Sequence, residues 1–393
     1  MNVLPLALVL EEGRFDGPVA RAFAAAWARI AERSIVRRVD LPAGVRAVAI
    51  GGATLGGSGK TPLAIACAAE IAASGVRVAL IGHAYGARPG RARVVAGGDC
   101  HGEVGDEALV AARALASTGA RVVVAPTRAE AVAFATREAD VVVLDGVAQT
   151  TPARAALALL AVDAVAPWGR AGAVAPRGDL RAPRDALLRA CDGVVTIGDD
   201  RGGDGVATDE AVSLVADGDR QNREHAAVRW HASAASSGAR VGGELVPWGD
   251  LAGARLGLLC AMARPERVVR ALALRGIALQ CVLRAPDHGP PSAKLLARAD
   301  RARNELGIEL WLATAKCAVH FATCGAPQDT RQDTRRHPTQ DLPHIHRDGR
   351  DGAGNTLPGR PGTPALGAPT GVIEYALALP HPLRERLRQI VVP

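Results

Sequence analysis

The chain has 393 residues, enough for two domains with sizeable cores, and is 48% hydrophobic but only 3% aromatic, so its cores must be built from Ala, Val and Leu. A net charge of +7 favours an acidic partner, a phosphate-bearing ligand or an anionic membrane surface; dispersed basic residues and scarce stacking rings argue against nucleic acid. Seven cysteines without a C-x-x-C pair argue for reduced thiols in a cytosolic protein, and no run approaches the roughly 20 apolar residues that span a bilayer.

Residues 4–10 are apolar but short and lack the basic flank of a secretory signal. Residues 19–39 predict an amphipathic basic helix, with Phe23, Trp27, Ile30 and Ala31 at helical spacing and Arg21, Arg29, Arg33, Arg37 and Arg38 between them. Such a helix either packs on a core with a solvated basic side, which the pattern alone slightly favours, or lies in an anionic membrane interface. An apolar run, 47–50, then leads into Ala53-Thr54-Leu55-Gly56-Gly57-Ser58-Gly59-Lys60-Thr61-Pro62 and an alanine-rich helical pattern to Ala73.

Strand, glycine turn, Lys-Thr and helix make the layout of a nucleotide-phosphate cradle. Glycines let backbone N–H groups approach phosphate oxygens, and the helix N-terminus adds a favourable dipole. Lys60 is placed for the β- and γ-phosphates and the Thr61 hydroxyl for Mg²⁺. The usual G-x-x-x-x-G-K-[ST] spacing puts its first glycine where Thr54 stands, while Gly56 and Gly57 lie inside the turn. Among 47 basic residues only Lys60, Lys294 and Lys316 are lysines, which makes Lys60 conspicuous.

Short apolar strands at 76–81, 122–125, 141–144, 157–162 and 194–197 alternate with helical patterns at 106–116 and 128–137. They predict an α/β, P-loop NTPase-like parallel sheet covered by helices, in a first domain over residues 1–215. Ligands of such sheets bind at the strands' carboxyl ends, where Lys60 lies. Residues 216–255 are irregular and read as a linker. A second, smaller α/β domain is expected over 256–324, with strands at 256–262, 277–283 and 309–313. Residues 325–371, rich in Gly, Pro, Asp, Arg and His, read as a disordered insertion, and 372–393 as a segment returning to the folded body.

Phosphoryl transfer also needs a metal-binding carboxylate and a group that deprotonates the acceptor. Asp145 ends the run 141–144, where a carboxylate can join the Mg²⁺ shell. Asp106 and Glu107 open a helix after Gly105; each can be a first-turn charge or face the γ-phosphate. Asp287-His288 stands in a loop rich in Gly and Pro, and as an isolated pair reads better as a turn than as a dyad. Cys317, His320 and Cys324 form the one suggestive cluster of metal-ligand types, better read as packing than as ligands.

Together these motifs resemble the tetraacyldisaccharide 4′-kinase family, the lipid A kinases of Gram-negative bacteria. The resemblance rests on 51–62, including threonine at position 54, and on Gly105-Asp106-Glu107, Asp145-Gly146, Pro176, Leu180-Arg181-Ala182-Pro183, Ala263-Arg264-Pro265-Glu266-Arg267 and Asp287-His288. It implies ATP-dependent phosphorylation of the 4′-hydroxyl of a tetraacyldisaccharide 1-phosphate, with ATP and Mg²⁺ as cofactors. It further implies a cleft between two domains and peripheral association with the anionic cytoplasmic face of the inner membrane through an N-terminal helix. The nucleotide-binding residues would be Thr54, Gly56, Gly57, Ser58, Gly59, Lys60 and Thr61. Asp106 would be the acid–base aspartate and His288 its partner; Thr61, Asp145 and Glu107 would face the metal. The chain departs from the family pattern at 82–86, 144–149, Ala182 and 314–317. Two alternatives stay open: a kinase of another membrane sugar-lipid, and a nucleotide-binding protein that regulates without catalysis.

Overall fold

A computed structural model describes residues 10, 12–13, 15–35, 41–82, 84, 86–146, 155–199, 228–261, 265–285, 291–320 and 369–391. In chain order its strands are β1 Arg46–Gly52, β2 Val78–Ile81, β3 Arg93–Val94, β4 Arg121–Val124, β5 Val141–Asp145, β6 Leu157–Asp163, β7 Gly193–Asp199, β8 Val228–Ala235, β9 Gly238–Val241, β10 Glu244–Pro247, β11 Leu256–Cys260, β12 Leu279–Arg284, β13 Leu310–Ala313, β14 Thr370–Ile373 and β15 Ala376–Ala378. The helices are α1 Pro18–Ile35, α2 Lys60–Ala72, α3 His101–Val104, α4 Asp106–Ala114, α5 Arg128–Ala135, α6 Arg184–Arg189, α7 Trp248–Leu251, α8 Pro265–Ala273, α9 Ala293–Leu306, α10 Ala315–Ala318 and α11 His381–Val391.

One sheet runs β15-β8-β7-β6-β1-β5-β2-β4-β3, parallel throughout except at its two edges. Its inner strands read as unbroken apolar runs because both faces are covered. Val48 and Ile50 of β1 point to the side packed by α2 and α4, while Ala47 points with Leu144 towards α5. The second sheet runs β10-β9-β14-β13-β11-β12, parallel from β12 to β14 and antiparallel beyond. Its few large side chains need local room. Trp311 is fully buried opposite Gly257, where an added Cβ would lie 2.4 Å from the indole.

Residues 228–247 are not an irregular linker. β8 extends the first sheet, whereas β9 and β10 extend the second, so the chain passes between sheets with two residues at 236–237. The expected insertion falls outside the described residues up to 368, and its last residues begin β14. Beyond it, β15 pairs with β8 and α11 packs on α2, burying Leu383, Leu387 and Ile390. Cys67, Cys191, Cys260, Cys281 and Cys317 form no disulfide, but Cys100 is disulfide-bonded, contrary to the expectation of reduced thiols.

In α1 the apolar residues divide between two faces. Ala24, Ala31 and Ile35 face the body beside Trp168 and Leu187, while Val19, Phe23, Trp27 and Ile30 are exposed. Among the described residues no helix is long and apolar enough to cross a membrane.

Candidate active site

β1 lies between β5 and β6, and its carboxyl end runs into the loop 53–59 that opens α2. Gly57 and Gly59 have φ of 70° and 80°, the left-handed region where a side chain is strained. A Cβ on Gly59 would come within 2.5 Å of Ile197. On Gly52 it would fall 2.2 Å from the buried Ser58 hydroxyl. No side chain caps α2 at Gly59, so its first-turn N–H groups face the loop's hollow.

Thr54 has a structural reason to differ from glycine. Its hydroxyl donates to the Gly56 carbonyl at 2.7 Å, and its backbone bridges to Leu180. Leu55 N–H donates to the Asp179 carbonyl (2.8 Å) and Arg181 Nε to the Thr54 carbonyl (2.9 Å), pinning the loop's outer side. Gly56 completes the turn that these bonds define.

Lys60 Nζ lies 3.5 Å from both Glu107 Oε2 and Thr61 Oγ1. The register of β1 with β5 sets Asp145 beside Ile50, at the foot of the loop. Asp145 is 1% exposed and its Oδ1 lacks a hydrogen-bond partner. Burial raises its carboxyl pKa, with Glu107 adding to the effect; Lys60, the Thr61 hydroxyl and Arg128 oppose it. Asp145, Thr61, Glu107 and Lys60 thus surround one spot, and a buried carboxylate oxygen without a donor is what a cation would satisfy. These groups fit Mg²⁺. Among the described residues no three His, Cys, Asp or Glu side chains are grouped to hold a metal.

Asp106 begins α4 after Gly105 (φ 88°) and is 3% exposed. Its Oδ1 accepts the Glu107 N–H at 2.8 Å. Its Oδ2 lies 3.3 Å from His320 Nε2 and 3.9 Å from Lys316 Nζ, which is also 3.9 Å from Glu107 Oε1. Two of the three lysines therefore converge on this acidic pair. The His101 ring meets His320 edge-on, with centroids 4.5 Å apart; burial and then the neighbouring imidazole lower its pKa.

His320 and Lys316 come from α10 and the turn after it, beyond the end of β13 in the second sheet. Arg267 of α8 crosses the same cleft: Nη1 donates to the Gly57 carbonyl, and Nη2 pairs with Asp163 Oδ1 at 2.8 Å. A cavity of about 440 Å³ lies at the carboxyl ends of β2 and β4, with Arg88, Thr127 and Arg128 in its wall. Arg128 reaches from it to the Asp145 carbonyl at 2.9 Å.

The structure thus brings together Lys60, Thr61, Asp106, Glu107 and Asp145, on a loop built by Thr54, Gly56, Gly57, Ser58 and Gly59. His288 lies outside the described residues, as do Ala263 and Arg264. His101 and His320 carry no motif that marks them, and the residues around His320 suggest packing instead of the contact with Asp106 that the structure shows. Lys316 carried two signals, the rarity of lysine in this composition and its place in the segment 314–317. The arrangement offers a phosphate cradle, a cation site and a buried carboxylate, the parts a phosphotransferase needs.

A family model described as Tetraacyldisaccharide-1-P 4'-kinase matches residues 18–339. The Tetraacyldisaccharide 4'-kinase of Anaeromyxobacter sp. (strain Fw109-5) is 36% identical over 82% of this chain and 84% of its own length. That of Methylobacterium radiotolerans is 34% identical over 72% and 80%. A solved structure of LpxK from Aquifex aeolicus in complex with ATP superposes with a TM-score of 0.58, covering 95% of this chain and 99% of that one. At 15% identity that is a likeness of fold.

Proposed function

The chain belongs to the tetraacyldisaccharide 4′-kinase family, and we propose that it transfers the γ-phosphoryl group of ATP to the 4′-hydroxyl of a tetraacyldisaccharide 1-phosphate in lipid A biosynthesis. The observation that carries this reading at the residue level is the meeting of two structures. The Lys60 loop stands against the Asp106–Glu107 pair, with Lys60 Nζ 3.5 Å from Glu107.

In this reading the backbone N–H groups of 57–61 and Lys60 Nζ hold the phosphate oxygens, and Lys60 offsets charge that develops on the transferred group. Thr61, Asp145 and Glu107 would hold Mg²⁺, which when bound neutralises phosphate charge. Asp106 accepts the proton of the 4′-hydroxyl as its oxygen bonds to phosphorus and ADP departs. The Arg-walled cavity beside Asp145 supports binding of an anionic acceptor near the loop.

We further propose peripheral attachment to the cytoplasmic face of the inner membrane through α1. Val19, Phe23, Trp27 and Ile30 expose their side chains beside Arg21, Arg29 and Arg33, which suits an anionic interface.

The test is direct. Purified protein given Mg-ATP and tetraacyldisaccharide 1-phosphate should yield a lipid heavier by one phosphoryl group. ATP binding without any such product would remove the kinase reading in favour of a regulatory nucleotide-binding protein.

A further inference from the structure

We propose that His320 is a positioning residue for Asp106, holding the carboxylate through Nε2 and tying it to the second sheet across the cleft. The proposal rests on the kinase reading for what Asp106 does, and on geometry for the contact itself.

A carboxylate as buried as Asp106 must be held by protein donors in place of water. The Glu107 N–H occupies Oδ1 at 2.8 Å, but that bond stays within α4 and does not tie the carboxylate to the other side of the cleft. On Oδ2, His320 Nε2 is within hydrogen-bond distance at 3.3 Å, whereas Lys316 at 3.9 Å acts as a nearby charge. An ionised carboxylate only accepts, so in this contact the Nε2 atom carries the proton and donates.

The rest of the imidazole supports that assignment. His320 is 8% exposed, and its Nδ1 has no hydrogen-bond partner. The ring is therefore aimed by Asp106 on one side and by the edge of His101 on the other. Its backbone is steadied by α10, whose Thr314 hydroxyl caps the helix by accepting the Cys317 N–H. With a donor at each oxygen, the Asp106 carboxylate plane is fixed.

The experiment compares wild type with His320→Ala and His320→Gln in the transfer assay, and reads the imidazole nitrogens by NMR of ¹⁵N-histidine-labelled protein. His320→Ala should lower kcat by roughly ten- to a hundredfold with the KM for ATP nearly unchanged. His320→Gln, whose amide offers an N–H near the place of Nε2, should recover most of that loss. In the NMR arm, Asp106→Ala should shift the Nε2 resonance of His320, assigned by its absence from His320→Gln. An unchanged kcat in His320→Ala overturns the proposal, as does a loss that Gln does not recover or an Nε2 resonance indifferent to Asp106. A wild type that makes no phosphorylated lipid sinks the kinase reading instead, and the NMR arm still decides whether His320 holds Asp106.

Discussion

Lys60 and Asp145 illustrate how differently two charged side chains of one site are kept. Lys60 is held between Glu107 and Thr61 at 3.5 Å and remains partly accessible. Replacing it with Ala should cost transfer about 10²–10³-fold, the scale of one lost electrostatic donor. Asp145 is sealed at the foot of the loop with its pKa raised, chiefly by burial. A raised folded-state pKa means the protein binds that proton more tightly than the unfolded chain. Stability on this account is greatest below the unfolded pKa and falls as pH rises through the folded one. Asp145→Asn should therefore abolish transfer while raising the melting temperature of the ligand-free protein at neutral pH, by about 2 °C for roughly 1 kcal/mol. Thermal scans of both proteins across pH check the sign, since the difference should vanish in acid. Lys60, Asp106 and Asp145 were legible in the sequence because each sits at a strand end or helix start whose local pattern announces it. His320 was not, because its meaning depends on Asp106, 214 residues away.

At the level of elements, α1 shows what periodicity cannot say. The pattern marks an apolar stripe but not what covers it. The fold buries the small residues Ala24 and Ala31, leaving Phe23 66% and Trp27 48% exposed. Phe23→Ser with Trp27→Ser should weaken binding to anionic vesicles at least tenfold, since each large side chain contributes on the order of 1.5–3 kcal/mol when fully buried. Vesicle sedimentation measures this, and the melting temperature should hardly move because neither ring packs on the body. The phosphate loop is the reverse case, legible residue by residue. Gly59→Ala would place a Cβ in a left-handed backbone against Ile197, and should cost about 1–3 kcal/mol along with nucleotide affinity. Calorimetry on the variant checks both. β8 to β10 escaped the sequence reading because an edge meander with mixed polar faces lacks the continuous apolar runs of the inner strands.

The described residues form two sheets whose carboxyl ends meet over the loop. Arg267 is the clearest tie between them, reaching Gly57 from α8 and pairing with Asp163 at the end of β6. Arg267→Ala should lower kcat/KM for ATP by roughly tenfold, the scale of a half-buried charge contact of about 1.4 kcal/mol. The parallel α/β character of both sheets was legible from strand spacing, whereas the passage from one sheet to the other at 236–237 was set by pairing partners distant in sequence. The central claim is that this cleft moves a phosphoryl group onto the sugar hydroxyl with Asp106 as the base. Transfer of label from γ-labelled ATP to tetraacyldisaccharide 1-phosphate, compared between wild type and Asp106→Ala at equal nucleotide occupancy, tests it most directly. The account predicts labelled lipid from the wild type and a loss of about 10²–10⁴-fold in the variant; equal labelling by both, or none by the wild type, would contradict it.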